Sequence, residues 1–149
     1  MKYLLSQIQR AFTPEIFKSL RLVRQNHTLE EAYSKVLNEV LDDNQIVYTR
    51  NLTSYPDYIF DDPDGTLLEV KATRSKSIKL NDTIPHKGVY YLVINLTLEK
   101  IILVLGNDLI DDDMRDKLKE NKETLKSHRL RGRLSSYPRI NLSLKLDWD

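Results

Sequence analysis

The chain of 149 residues contains no cysteine, which excludes disulfides and thiolate metal sites. It has no run of about twenty apolar residues, so no helical membrane span is expected, and its first residues lack the long apolar segment of a secretory signal. A net charge of +1 argues neither for nor against a polyanionic partner, and the length suits one domain with a proper core. These features together lead to the expectation of a cytoplasmic, non-membrane protein.

Charge is unevenly spread. Residues 71–87 carry five Lys or Arg against one Asp, and residues 126–139 are basic without any acid. Such a split allows a local positive surface on a near-neutral protein.

Residues 2–10 suit a short helix with Leu4, Leu5 and Ile8 on one side. Thr13-Pro14-Glu15 predicts a second helix, with a cap followed by Pro in the first turn. Ile16, Phe17, Leu20 and Val23 give it an apolar stripe as far as about Arg24. Asn26-His27-Thr28 interrupts the pattern. Thr28 then suits the N-cap of a third helix, with Glu31 closing a capping box. Its inner face is Leu29, Tyr33, Val36, Leu37 and Val40, and it fades at Asp42-Asp43-Asn44.

Residues 45–51 (QIVYTRN) read as a first strand. The stretch PDYIFDDPDGTLLEVKAT over 56–73 then reads as a hairpin. Asp62-Pro63-Asp64-Gly65 suits a type I turn with Gly in the left-handed position. A three-residue loop with a bulge at Gly65 pairs Asp62 with Thr66, Asp61 with Leu67, Ile59 with Glu69, and Asp57 with Lys71. Alternation then sends Tyr58, Phe60, Leu68, Val70 and Ala72 to an apolar face and Asp57, Glu69 and Lys71 to the other. A four-residue loop would instead put Asp57 opposite that face.

The connection TRSKSIKLNDTIPHKG shows no clear period. VYYLVINL over 89–96 reads as a strand buried on both faces, and KIILVL over 100–105 as another. Gly106-Asn107-Asp108 leads into a helix through about Lys126, with Ile110, Met114, Leu118 and Leu125 inward. The tail from Tyr137 alternates Ile140, Leu142, Leu144 and Leu146, the pattern of a closing strand. The fold class expected is α/β (α+β): a central mixed β-sheet flanked by helices.

Pro56-Asp57, an eleven-residue gap and then Glu69-Val70-Lys71 resembles the signature of the PD-(D/E)XK nuclease superfamily. The order of elements matches that family from about residue 28 to 126. The N-terminal helices (1–25) and C-terminal strand (137–148) are then additions to one nuclease domain spanning 1–149. Within the superfamily, EVKATRSKSIKLNDTIP most resembles small Type II restriction endonucleases.

The resemblance implies a Mg²⁺-dependent DNA endonuclease, with Mn²⁺ able to substitute. It hydrolyses phosphodiester bonds in double-stranded DNA, acts as a homodimer on a palindromic site and is paired in its host with a DNA methyltransferase. Asp57 and Glu69 would hold the metal, joined by the backbone carbonyl of Val70. Lys71 would orient or deprotonate the attacking water. The preceding helix commonly adds an acid, for which Glu30 and Glu31 are the candidates; Glu30 is preferred because Glu31 belongs to the capping box. The residue types suit this chemistry: a hard cation keeps several waters and takes one or two carboxylates, and it lowers the pKa of a bound water. Thr73, Arg74, Lys76, Lys79 and Asn81 follow directly from the motif strand and suit DNA contact.

Plainer readings stand beside these. Glu69 and Lys71 at alternate positions are also what the solvent face of an edge strand carries. Asp111-Asp112-Asp113 fits the dipole of a helix start better than a metal cluster. His27, His86 and His128 have no ligand spacing. Arg129, Arg131, Arg133 and Arg139 divide evenly between DNA contact and plain surface. Two rival functions remain open: a structure-selective or repair nuclease such as a junction resolvase, and a non-catalytic DNA-binding module on the same scaffold.

Overall fold

The structure, a computed structural model of the chain, describes residues 1–81, 84–130 and 141–149. A five-stranded mixed sheet is its centre, in the order β1 (Tyr48–Arg50), β2 (Tyr58–Phe60), β3 (Leu67–Thr73), β5 (Val89–Asn95), β6 (Lys100–Leu105). Only the β3–β5 pair is parallel; the other neighbours are antiparallel. A parallel pair needs a long crossover. Here the crossover carries β4 (Ser77–Asn81), which pairs with β7 (Asn141–Lys145) in a separate two-stranded sheet.

Helices α1 (Lys2–Ala11), α2 (Pro14–Leu22) and α3 (Asn26–Asp43) cover one face of the large sheet. Leu4, Ile8, Phe12, Phe17, Leu20, Leu37 and Leu41 pack there against Tyr58, Phe60, Leu68, Val70, Leu92 and Ile94. The first two helices are therefore part of the main core. Thr13 caps α2, its hydroxyl accepting from the Ile16 N–H at 3.3 Å, as its sequence predicts. On the opposite face Ile78, Leu80 and Trp148 close over Val89, Tyr91 and Val93. Strand β5 is thus covered on both sides, as its unbroken apolar run implies. Among the described residues no helix is long and apolar enough to cross a membrane.

Four local expectations are corrected. The capping box is absent: α3 begins at Asn26 after Gln25, Thr28 donates to the Gln25 side chain, and Glu31 pairs with His27 at 2.9 Å. The first strand is short, because Gln45 turns into a positive φ of 57° as the chain leaves α3. The connection read as aperiodic contains β4, whose Ile78 and Leu80 are buried. Met114 is 43% exposed, while Arg115 is buried and is the one buried residue among those of α5 (Asp112–Leu130) whose side chains are described.

Arg115 replaces the expected apolar anchor by donating to the carbonyls of Pro85 and Gly106 and to the Asp112 carboxylate. It ties α5 to α4 (Gly106–Leu109) and to the entry of β5. Asp111 caps α5 through the Met114 N–H at 2.7 Å, and Asp112 pairs with Lys87, so the aspartate run serves the helix start. Ile140, Asp82, Arg131, Arg133 and Arg139 lie outside the described residues, as do the side chains of Asn81, Leu125, His128 and Arg129.

The hairpin register differs from the expected one by two residues. Tyr58 faces Leu68 and Ile59 faces Leu67, not Glu69. The cause is Asp62, whose carboxylate takes the Thr66 N–H at 2.8 Å and the Thr66 hydroxyl at 2.6 Å. Strand pairing therefore begins with the Phe60 N–H on the Thr66 carbonyl. The Asp62–Gly65 turn itself forms, with Gly65 at φ 59°. A shift of two preserves side-chain parity. Tyr58, Phe60, Leu68 and Val70 still enter the core, and the next step beyond Tyr58–Leu68 sets Asp57 beside Glu69.

Candidate active site

Strand β2 begins only at Tyr58, so the β3 edge beyond Leu68 has no strand partner on that side. Asp57 fills the gap, its Oδ2 accepting the Val70 N–H at 2.9 Å. A residue's N–H and C=O leave a strand on the same side, so the Val70 carbonyl faces this gap too. The chain before Asp57 is held in place by Asn51, whose backbone N–H donates to the Asp57 carbonyl and whose side-chain amide donates to the Pro56 carbonyl.

Asp57 and the β3 residues Glu69, Val70, Lys71 and Ala72 line a cavity of about 290 Å³ whose remaining wall is the start of α3: Asn26, Leu29, Glu30 and Tyr33. Glu69 is 6% exposed, and burial pushes its carboxyl up to about 9. A hydrogen bond to Asp57 and the charge on Asp57 add to that rise, while Lys71 opposes it. A carboxyl set beside a second carboxylate in a poorly solvated site keeps its proton to higher pH. Burial and the charges on Glu30 and Asp57 likewise push the Tyr33 phenol up.

Of the two acids weighed on α3, Glu30 is the one at the cavity, and Glu31 is turned to His27. Glu30 reaches the site through Arg50, a residue the sequence did not single out. Arg50 Nη2 donates to Glu30 at 3.0 Å and to the Ser34 hydroxyl at 3.4 Å, and Nη1 lies 3.3 Å from Asp57 Oδ1. Its side chain is 16% exposed, and the guanidinium sits 4.8 Å above the Tyr58 ring. The signal that would have found it is the β1–β2 pairing: Arg50 faces Tyr58, one step from Asp57.

The residues proposed for DNA contact separate. Lys79 is exposed and lines a second cavity of about 580 Å³ that shares Asn26, Leu29 and Ala72 with the first. Arg74 lines it too, yet its guanidinium donates to the Arg21 and Val23 carbonyls at the end of α2. The Thr73 hydroxyl is taken by its own turn, donating to the Ser77 carbonyl at 2.6 Å. Lys76 lines a different cavity, with Lys100, Lys145 and Trp148.

Two carboxylates and a backbone carbonyl make a hard-oxygen donor set that fits an ion of the Mg²⁺ type. Among the described residues there is no group of three or more His, Cys, Asp or Glu placed to hold a metal. Comparisons with protein-family models, with curated proteins and with solved structures found no match to this chain.

Proposed function

We propose that the chain is a Mg²⁺-dependent endonuclease that hydrolyses phosphodiester bonds in double-stranded DNA, most like a Type II restriction enzyme. The observation that carries this reading is the meeting of Asp57, Glu69, the Val70 carbonyl edge and Lys71 in one cavity at the point where β2 stops pairing. Asp57 and Glu69 would hold the ion, and Mn²⁺ would substitute for Mg²⁺. A bound divalent ion supplies charge neutralisation at the phosphate and a more acidic water.

The chain's own residues do the rest. The Val70 N–H fixes Asp57 Oδ2, so that carboxylate is ordered before any ligand arrives. Lys71, half-buried on the cavity wall, presents an ammonium to the scissile phosphate and to the attacking water. Lys79 extends the positive wall into the adjoining cavity, where a phosphodiester strand would run. A two-fold-symmetric DNA site would call for a homodimer, and self-protection for a companion methyltransferase.

The test is incubation of purified protein with plasmid and Mg²⁺, followed by sequencing of the ends. Discrete fragments are expected from the wild type and none from Asp57→Ala. Cleavage confined to branched DNA would move the reading to a junction resolvase. One observation favours a second reading: Arg50 already neutralises Asp57 and Glu30 without a metal. On that basis the site would be an ion-pair network in a non-catalytic DNA-binding module, which would bind plasmid and never nick it with Mg²⁺ or Mn²⁺.

A further inference from the structure

Arg50 is bound on every side. Besides Glu30, Ser34 and the Asp57 carboxylate, Nη1 donates to the main-chain carbonyls of Asn51 and Asp57, and the plane of the group lies over Tyr58. These partners come from α3, β2 and the turn after β1, so the guanidinium cannot swing out without breaking contacts to all of them. It is also charged at any working pH. A permanent cation is therefore fixed between two of the acids that border the cavity.

The two sides of Asp57 are unlike. On the Oδ1 side, Arg50 fills the space between Asp57 and Glu30, with contacts of 3.3 and 3.0 Å. A divalent ion bridging those two carboxylates would need oxygens roughly 2.0–2.1 Å away, in the volume the guanidinium already takes, and would meet like charge. On the Oδ2 side stands the Val70 edge, and Glu69 lines the same cavity. Each carboxylate oxygen has two lone pairs, so the Val70 N–H leaves Oδ2 one to offer.

We propose that Arg50 is a built-in cation occupying the place of a second divalent ion, so that the site takes a single ion, between Asp57 and Glu69, and Glu30 is not a ligand. This rests on the metal-site reading given above. Glu30 then acts through Arg50: it holds the guanidinium toward α3 and so sets where Asp57 Oδ1 points. Arg50 and Glu30 are positioning residues, and the strength of metal binding is tempered by the fixed positive charge beside it.

Titration of the protein with Mn²⁺ alone, read by isothermal calorimetry and by the electron paramagnetic resonance of free Mn²⁺, tests this without reference to activity. Wild type is expected to bind one ion per chain. Glu30→Gln, which keeps an acceptor for Arg50 but not the charge, should leave that stoichiometry at one ion and lower the affinity by less than about fivefold, the size of a positioning effect. Arg50→Met, which keeps the stem over Tyr58 and loses the charge, should bind about tenfold tighter or admit a second ion. Arg50→Lys should return to one ion and near wild-type affinity.

Two ions per wild-type chain would overturn the role of Arg50. So would a loss of about tenfold or more in Glu30→Gln, or Arg50→Met binding a single ion no tighter than wild type. If Arg50→Met does not fold, the wild-type stoichiometry and Glu30→Gln still decide. Failure of wild type to bind Mn²⁺ at all is a separate outcome: it overturns the metal reading of Asp57 and Glu69 itself.

Discussion

Replacing Glu69 by Gln should change how stability depends on pH, and the sign follows from the site. The Glu69 carboxyl is raised from an ordinary 4.5 to about 9 by burial and by Asp57 beside it. Below the ordinary value both folded and unfolded chains carry the proton, and the group favours neither. Between the two values the folded chain keeps a proton that the unfolded chain has lost, so stability falls as pH rises, and the loss is complete once pH passes the folded value. One such proton makes a slope of about 1.4 kcal/mol per pH unit, or roughly 3 kcal/mol between about pH 6 and about pH 8. For a chain of this size that is a fall of roughly 5–10 °C in Tm.

Gln keeps the shape and a donor toward Asp57 but cannot ionise. The Tm of Glu69→Gln should therefore stay level over the same interval, crossing above wild type at the alkaline end. Subtracting one curve from the other removes the histidines common to both. The assay is thermal unfolding by circular dichroism in matched buffers, with and without millimolar Mg²⁺. The ion should raise the wild-type Tm most at the alkaline end, where it stabilises the ionised carboxylate, and do little for the variant. Parallel wild-type and Glu69→Gln curves would refute the description of Glu69 as a carboxyl that keeps its proton in the folded chain.

Three further outcomes are expected. On the proposed nuclease reading, Lys71→Ala should lower the rate of DNA cleavage far more than DNA affinity, since it would remove an ammonium beside the scissile phosphate and leave the walls intact; single-turnover kinetics against a binding titration separates the two. Lys79→Ala should reduce the slope of log affinity against log salt by about one, and Lys76→Ala should not, because only Lys79 lines the cavity adjoining Asp57 and Glu69. Gly106→Ala should destabilise the fold by about 2 kcal/mol or more, because a Cβ there would lie 2.0 Å from the His86 carbonyl oxygen; chemical denaturation measures it, and a midpoint like wild type's would show that the His86 segment gives way freely.

What was legible in the sequence was whatever a short-range rule controls. Thr13-Pro14 announced α2, the Asp62–Gly65 turn formed, and alternation sorted Tyr58, Phe60, Leu68 and Val70 to the core. Even the wrong hairpin register left Asp57 and Glu69 together, because an error of two residues does not change which face a side chain takes. The α3 capping box failed on a short-range competitor, Gln25, which drew Thr28 to itself. Strand β4 was hidden for a different reason. Its five residues alternate Ile78 and Leu80 with Ser77 and Lys79, but that pattern acquires a partner only from β7, more than sixty residues later.

Arg50 was beyond reach for the same long-range reason, and its case carries the most chemistry. Nothing about TRN in isolation marks the Arg, since an arginine near a strand end is ordinary surface. It becomes part of the site only because β1 lies antiparallel to β2 and α3 crosses above both, which brings carboxylates twenty residues back and seven residues on within reach of one guanidinium. An acid motif read along the chain counts the negative charges and misses the positive one that the fold sets among them. The net charge of the cavity is therefore a property of strand order, and on the proposed metal-site reading so is the number of ions it would accept, which a count of acids along the sequence does not give.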